Sequence, residues 1–229
     1  METYTQVCLI VQKTAPLTPG ISALTVVGNM TGHGRDTLSA YVVYARVVAQ
    51  AANEGSATAL AQSVVVSTAN GSISASPDKV AEPRLLEIDF EIFTAPATNL
   101  TLTDSVGNLS VDNYDATLQL TTQTGNASLQ TVQGQTTVRT NVGNIAATLS
   151  GSAWTGAGMT ATTQVGDISV SHPASYQAAF TATTDVGRVS VDGQQASSSG
   201  SSPVTIKAGS GAPIVLESSV GDVSVTATQ

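Results

Sequence analysis

Residues 162–170 read TTQVGDISV, and the phrase returns as TTDVGRVSV at 183–191 and ESSVGDVSV at 217–225. Aligned on its glycine, it also occurs as TDSVGNLSV (103–111), TTQTGNASL (121–129) and RTNVGNIAA (139–147), with a looser copy, TANGSISAS, at 68–76. Gly107, Gly125, Gly143, Gly166, Gly187 and Gly221 are thus separated by 18, 18, 23, 21 and 34 residues. A near-constant period broken by short insertions is what a solenoid tolerates, because extra residues loop out between rungs.

Parity gives each copy two strands around the glycine. Apolar residues recur seven, five and one before it and two and four after it; for Gly166 these are Met159, Ala161, Val165, Ile168 and Val170. Alternation at period two places them on one inward face. Glycine followed by Asn or Asp makes the corner, since glycine reaches positive φ freely. One inward column is polar: Asp104, Thr122, Thr140, Thr163, Thr184 and Ser218 stand three before the glycines. Parity predicts a hydroxyl ladder there, each group bonding the next rung. The expected fold is all-β, a right-handed single-stranded β-helix (β-solenoid) with rungs of about 18–23 residues, six or seven of them stacked roughly 4.8 Å apart.

Composition agrees. Charged residues make up only 10% of the 229, replaced by Thr, Ser, Gln, Asn and Gly, and β-branched Thr and Val favour strands. The net charge is −8 with eight Lys and Arg, which argues against nucleic acid and anionic membrane surfaces as partners. Cys8 is the single cysteine, so no intrachain disulfide forms. Its setting, QVCLIV, reads as a buried strand.

Residues 1–67 differ from the repeats. ALTVVGNMTGHG (23–34) is a strand and turn, TLSAYVVYARVV (37–48) a strand, and ANEGSATALAQ (52–62) a short helix capped by Asn53. This part is expected to cap the open end of a solenoid spanning 68–229, in one continuous domain. RLLEIDFEIF (84–93) reads as a strand. The Ser/Gly-rich segment 193–212 is an insertion, with PVTIK as an extra strand.

The run LEIDFEIFTAPATNLTLTDSVGNLSV, the V-G-[DN]-[ILV]-S-V repeats and the closing APIVLESSVGDVSV resemble the bacterial "putative adhesin" family of the DUF4097 type. The resemblance implies the β-helix, export to the bacterial cell envelope or secretion, and no catalytic residues. No anchor or export signal stands in this sequence, so a membrane is expected to be met only through an anchor missing from it.

Two outward constellations remain. Thr101, Thr103, Thr121, Thr160, Thr162, Thr181 and Thr183 form a candidate interaction face of T-x-T pairs, interrupted by Gln119, Arg139 and Glu217. Asp167, Arg188 and Asp222, each just after a glycine, form a candidate charge ladder in which Arg188 sits between two carboxylates. The ladder reads as surface charge spacing or, less simply, as an acid/base pair of a polysaccharide-cleaving β-helix. No cofactor or metal is expected, because His33 and His172 lack neighbouring ligands and the nonapeptide of calcium β-rolls is absent. The expected function is a non-enzymatic structural or adhesin-like module presenting polar ladders to a protein or glycan. Carbohydrate binding or cleavage is the alternative, with ice binding through the T-x-T pairs a third.

Overall fold

The two-residue alternation is realised as strands throughout the computed structural model, which describes residues 4–77, 86–198 and 203–228. In chain order these are β1 (Thr5–Pro16), β2 (Gly20–Val27), β3 (Met30–Gly34), β4 (Ala40–Ala51), helix α1 (Glu54–Gln62), β5 (Val64–Ser67), β6 (Ser72–Pro77), β7 (Leu86–Thr94), β8 (Asn99–Val106), β9 (Leu109–Thr124), β10 (Ala127–Val142), β11 (Ile145–Thr148), β12 (Gly158–Val165), β13 (Ile168–Pro173), β14 (Ala179–Val186), β15 (Arg188–Val191), β16 (Gln194–Ser197), β17 (Val204–Gly209), β18 (Pro213–Val220) and β19 (Val223–Thr228). Asn53 caps α1, its side chain accepting from the Ser56 N–H at 2.9 Å.

Each rung is two strands meeting at a glycine, and successive rungs pair in parallel. On one side Ala23, Leu102, Leu120, Val138, Ala161, Leu216 and Ala182 stand in register. On the other stand Met30, Leu109, Ala127, Ile145, Ile168, Val223 and Val189. All fourteen are 1% exposed or less. Burying a side chain of Val or Leu size contributes roughly 1.5–3 kcal/mol, so these columns dominate cohesion. The result is an open, all-β stack of solenoid type. The corner requires glycine: at Gly125, with φ at 151°, a Cβ would overlap the carbonyl oxygen of Gly107 one rung below.

The order of rungs departs from the order of repeats at both ends. The seventh corner is Gly28, between β2 and β3, not the copy at 68–76: β6 pairs with β2 so that Ser72 faces Ser22, outside the corner column. The part expected as a cap, 1–67, therefore holds a full rung. At the far end, β18 lies between β12 and β14, and β19 between β13 and β15. The last repeat is inserted before its predecessor. The 193–212 segment makes this arrangement possible by supplying β16 and β17, which lie antiparallel on β15 and β14 and cover the terminal rung. Residues 199–202 of that segment, and residues 84 and 85 of the strand expected at 84–93, lie outside the described residues.

Three side-chain expectations are corrected. The residue before each glycine faces out, not in: Val27, Val106, Val142, Val165, Val186 and Val220 are 39–54% exposed. The last inward residue is three before the glycine, and the chain begins its corner immediately after it, so strand parity ends one step early. Cys8 is exposed, because β1 lies on the margin of the sheet, paired with β4. The polar column is buried, but its hydroxyls do not bond one another. Thr122, Thr140, Thr163, Ser218 and Thr184 each donate to a glycine carbonyl of the adjoining rung, at 2.8–3.2 Å. The tight corner leaves that carbonyl in need of a donor, and the hydroxyl of the adjoining rung supplies it.

Asp104 occupies the same column and cannot do this when ionised. Its Oδ1 accepts from the Val106 N–H at 3.2 Å, while its Oδ2 is buried without a partner. Oδ2 crowds the same space beside Gly107 as the Gly28 carbonyl oxygen. Burial pushes the carboxyl up to about 6, and the nearby Asp89 carboxylate acts in the same direction.

Candidate functional site

The seven threonines of the expected interaction face lie on the outward surface of β8, β9, β12 and β14. Their columns run Thr101, Gln119, Thr137, Thr160, Val215, Thr181 and Thr103, Thr121, Arg139, Thr162, Glu217, Thr183. Insertion of β18 separates the Thr160/Thr162 pair from Thr181/Thr183. Thr183 is also bonded to Thr205 of β17 at 2.9 Å. The T-x-T pairs thus share one outward sheet face, with Val215 and Glu217 of β18 lying between Thr160/Thr162 and Thr181/Thr183.

The expected charge ladder is reordered in the same way. Asp222, not Arg188, is the middle member: the Asp222 N–H donates to Asp167 Oδ1 and the Arg188 N–H to Asp222 Oδ1, both at 2.8 Å. These bonds belong to a longer series. Asn108, Asn126, Asn144 and Asp167 each donate their backbone N–H to the side-chain oxygen of the preceding corner residue, beginning at Asn29, at 2.8–3.0 Å. The carboxylates after the glycines thus act as backbone acceptors holding corner on corner.

A cluster that the sequence motifs do not reveal lies on the outward face of β4, β7 and β3. Strand pairing sets Arg46 opposite Asp89, Tyr44 opposite Glu91, and Thr31 opposite Glu91 on the other side. Arg46 Nε donates to Asp89 Oδ2 at 2.7 Å, and this bond holds the guanidinium still more firmly protonated. Asp89 Oδ1 accepts from both the N–H and the side-chain amide of Asn29, at 2.7 and 3.0 Å. Glu91 lies 3.3 Å from His33 Nε2, and His33 Nδ1 meets Asp112, whose other oxygen takes Arg35 at 2.8 Å. His33 stacks on Phe93 at 4.8 Å, and Tyr44 meets Phe93 edge-on. Beneath, the Tyr114 hydroxyl is buried without a partner, and desolvation raises it far above the ordinary tyrosine range.

In a chain with 10% charge this is a concentration of charge. Ile10, Asn29, Thr31, Tyr44, Arg46, Asp89, Phe90 and Glu91 line a concavity of about 380 Å³. The signal was present in the acids at 87, 89 and 91 of LEIDFEIF, which alternate with the core residues and so must share one outward face. His172 is placed differently: it is buried, stacked on Phe180 and 3.2 Å from Asp192. Among the described residues no group of three His, Cys, Asp or Glu is placed to hold a metal ion, and no helix is long and apolar enough to cross a membrane.

No curated protein matches this chain. Solved structures of similar shape include a "putative cell adhesion protein" from Clostridium sporogenes, 11% identical, covering 96% of this chain and 100% of its own, with a TM-score of 0.49. A "putative adhesin" from Bacteroides fragilis is 15% identical over 96% and 97%, with a TM-score of 0.45. A "putative lipid binding protein" from Parabacteroides distasonis is 10% identical over 97% of each chain, with a TM-score of 0.35. Residues 44–226, nearly all of the glycine-cornered stack, match the model described as Toastrack DUF4097, and the chain belongs to that family.

Proposed function

We propose that this chain is a non-enzymatic, adhesin-like module of the bacterial cell envelope or of a secreted protein, and that it binds a glycan at the concavity beside Tyr44 and Arg46. The carrying observation is the composition of that concavity. A tyrosine ring and planar hydrogen-bonding groups from Arg46, Asp89, Glu91 and Asn29 line about 380 Å³. Sugars are held in this way, by an aromatic face against C–H groups and by fixed donors and acceptors against hydroxyls. The mutual bonds of Arg46, Asp89 and Asn29 fix those groups before any ligand arrives, which lowers the ordering cost of binding. Cleavage is the weaker reading: glycoside hydrolysis needs a proton donor facing a second carboxylate across the bond, whereas Asp89 and Glu91 already engage Arg46 and His33.

A glycan array followed by calorimetry on the bound sugar tests this. Tyr44→Ala and Arg46→Ala are expected to weaken binding at least tenfold while leaving melting within a few degrees. Absence of any glycan ligand, or binding by both variants as tight as the parent's, refutes the assignment.

A further inference from the structure

Among the described residues, every terminal strand of the stack but one is short. β5 and β16 have four residues each, and β17 has six with Lys207 among them. β1 has twelve, TQVCLIVQKTAP, with Lys13 its one charge and proline only at its end. It pairs with β4 on one side, and among the described residues no strand pairs with its other edge. Natural edges are shielded by shortness, charge, proline, bulges or a covering helix; α1 packs against β1 and β4 alike, and β1 uses little of the rest over its first eight residues.

What distinguishes the edge is its symmetry. From Gln6 to Gln12 the sequence is Gln-Val-Cys-Leu-Ile-Val-Gln, which reads the same in both directions except for Cys8 against Ile10. We infer that the free edge of β1 pairs antiparallel with β1 of a second copy, about a two-fold axis through Leu9. In that register Gln6 faces Gln12, Val7 faces Val11, Cys8 faces Ile10 and Leu9 faces Leu9. Opposed residues of an antiparallel pair lie on the same face of the sheet. The half-buried Val7, Leu9 and Val11 thus continue one surface, and the exposed Cys8, Ile10 and Gln12 the other. Moving the axis to Ile10 sets Val7 against Lys13, and moving it to Cys8 sets Gln6 against Ile10. Only the Leu9 register matches like with like. No like charges meet at the seam despite the net charge of −8, because Lys13 falls opposite Thr5. Interfaces of this isologous kind are the commonest route to dimers.

The dimer would place both glycan concavities on one face, since Ile10 lines the concavity and belongs to the exposed side of β1. The two β4 strands would lie roughly 14 Å apart, three strand spacings. This inference does not depend on the glycan assignment.

The test uses the full chain in sedimentation equilibrium up to about 1 mM. The mass is expected to double with concentration. Cys8→Glu with Ile10→Glu sets two pairs of carboxylates opposite each other and is expected to weaken dimerisation at least tenfold. Cys8→Lys with Ile10→Glu sets opposite charges together and is expected to restore it to within about threefold. Both positions are exposed, and circular dichroism checks the fold of each variant. Ile10→Cys sets a new thiol opposite Cys8 of the second copy and is expected to form a reducible covalent dimer at least tenfold faster than the parent. A monomer at every concentration overturns the inference. A dimer unaffected by the paired glutamates, or an Ile10→Cys variant that cross-links no faster than the parent, overturns the β1 register.

Discussion

Replacing Asp104 by Asn should stabilise the protein, and only above a definable pH. Asp104 is the one carboxylate in a column that otherwise donates hydroxyl hydrogens to glycine carbonyls. Its folded-state value is about 6 against a reference of 3.8. A carboxyl raised on folding binds its proton more tightly in the native state, so stability falls as pH rises. Below about 4 both states are protonated and the group costs nothing. Between about 4 and 6 only the unfolded chain ionises, and above 6 the full penalty applies. A rise of this size corresponds to about 3 kcal/mol. In the Asn variant Oδ1 can keep the Val106 N–H, and the amide can donate toward the Gly28 carbonyl. The expected gain at pH 7.5 is therefore about 2–3 kcal/mol, or roughly 5–10 °C in melting temperature for a chain of this size. Guanidinium unfolding of parent and variant at pH 7.5 and pH 4 measures it, and the difference should shrink below about 1 kcal/mol at pH 4. A variant no more stable than the parent at pH 7.5, or a gain independent of pH, would refute the reasoning.

Other substitutions separate the roles of corner and column. Gly143→Ala forces a Cβ into the Gly125 carbonyl at a φ of 149° and should cost at least about 3 kcal/mol, read as lost cooperative melting or no soluble protein. Thr163→Val keeps the shape but leaves the Gly143 carbonyl without its donor; a loss of about 1–3 kcal/mol in denaturant unfolding is expected. Arg188→Ala should change stability by less than about 0.5 kcal/mol, since its backbone N–H still reaches Asp222, whereas Asp222→Ala removes that acceptor and should cost about 1 kcal/mol. Equal effects of the last pair would contradict the capping role of the corner carboxylates.

The stack was legible from the repeats because its rungs are local: an inward face of period two and a glycine that tolerates the corner specify one coil without reference to its neighbours. Which coil lies beside which is not local. The insertion of β18 and β19 between β12–β13 and β14–β15 depends on a segment long enough to carry the chain past its own last rung, and the repeats themselves are compatible with either order. The same limit misplaced Arg188 and set Thr160/Thr162 directly beside Thr181/Thr183, where β18 lies between them. The exposed valines escaped for a smaller reason, a corner that begins one residue before strand alternation says it should. The charged concavity escaped because its partners are far apart in sequence: Arg46, Asp89 and Asn29 meet only through β4, β7 and β3. Half of its signal, the acids of LEIDFEIF, stands beside core residues whose stronger alternation points to the other face.

The reversed order of the last two rungs also sets a sequence of events. The β14–β15 rung and its β16–β17 cover have no native neighbour on the rod until later strands arrive, because the place beside β12–β13 belongs to β18 and β19. Their native seat is complete only once residues 213–228 lie in the gap as a keystone, pairing on both sides. Loop closure is then settled in a single late step that spans 55 residues on one side and 34 on the other. Until β18 and β19 are seated, the facing edges of β12–β13 and of β14–β15 both lack their native neighbour, and that interval is when a binding chaperone would find the most exposed strand edge.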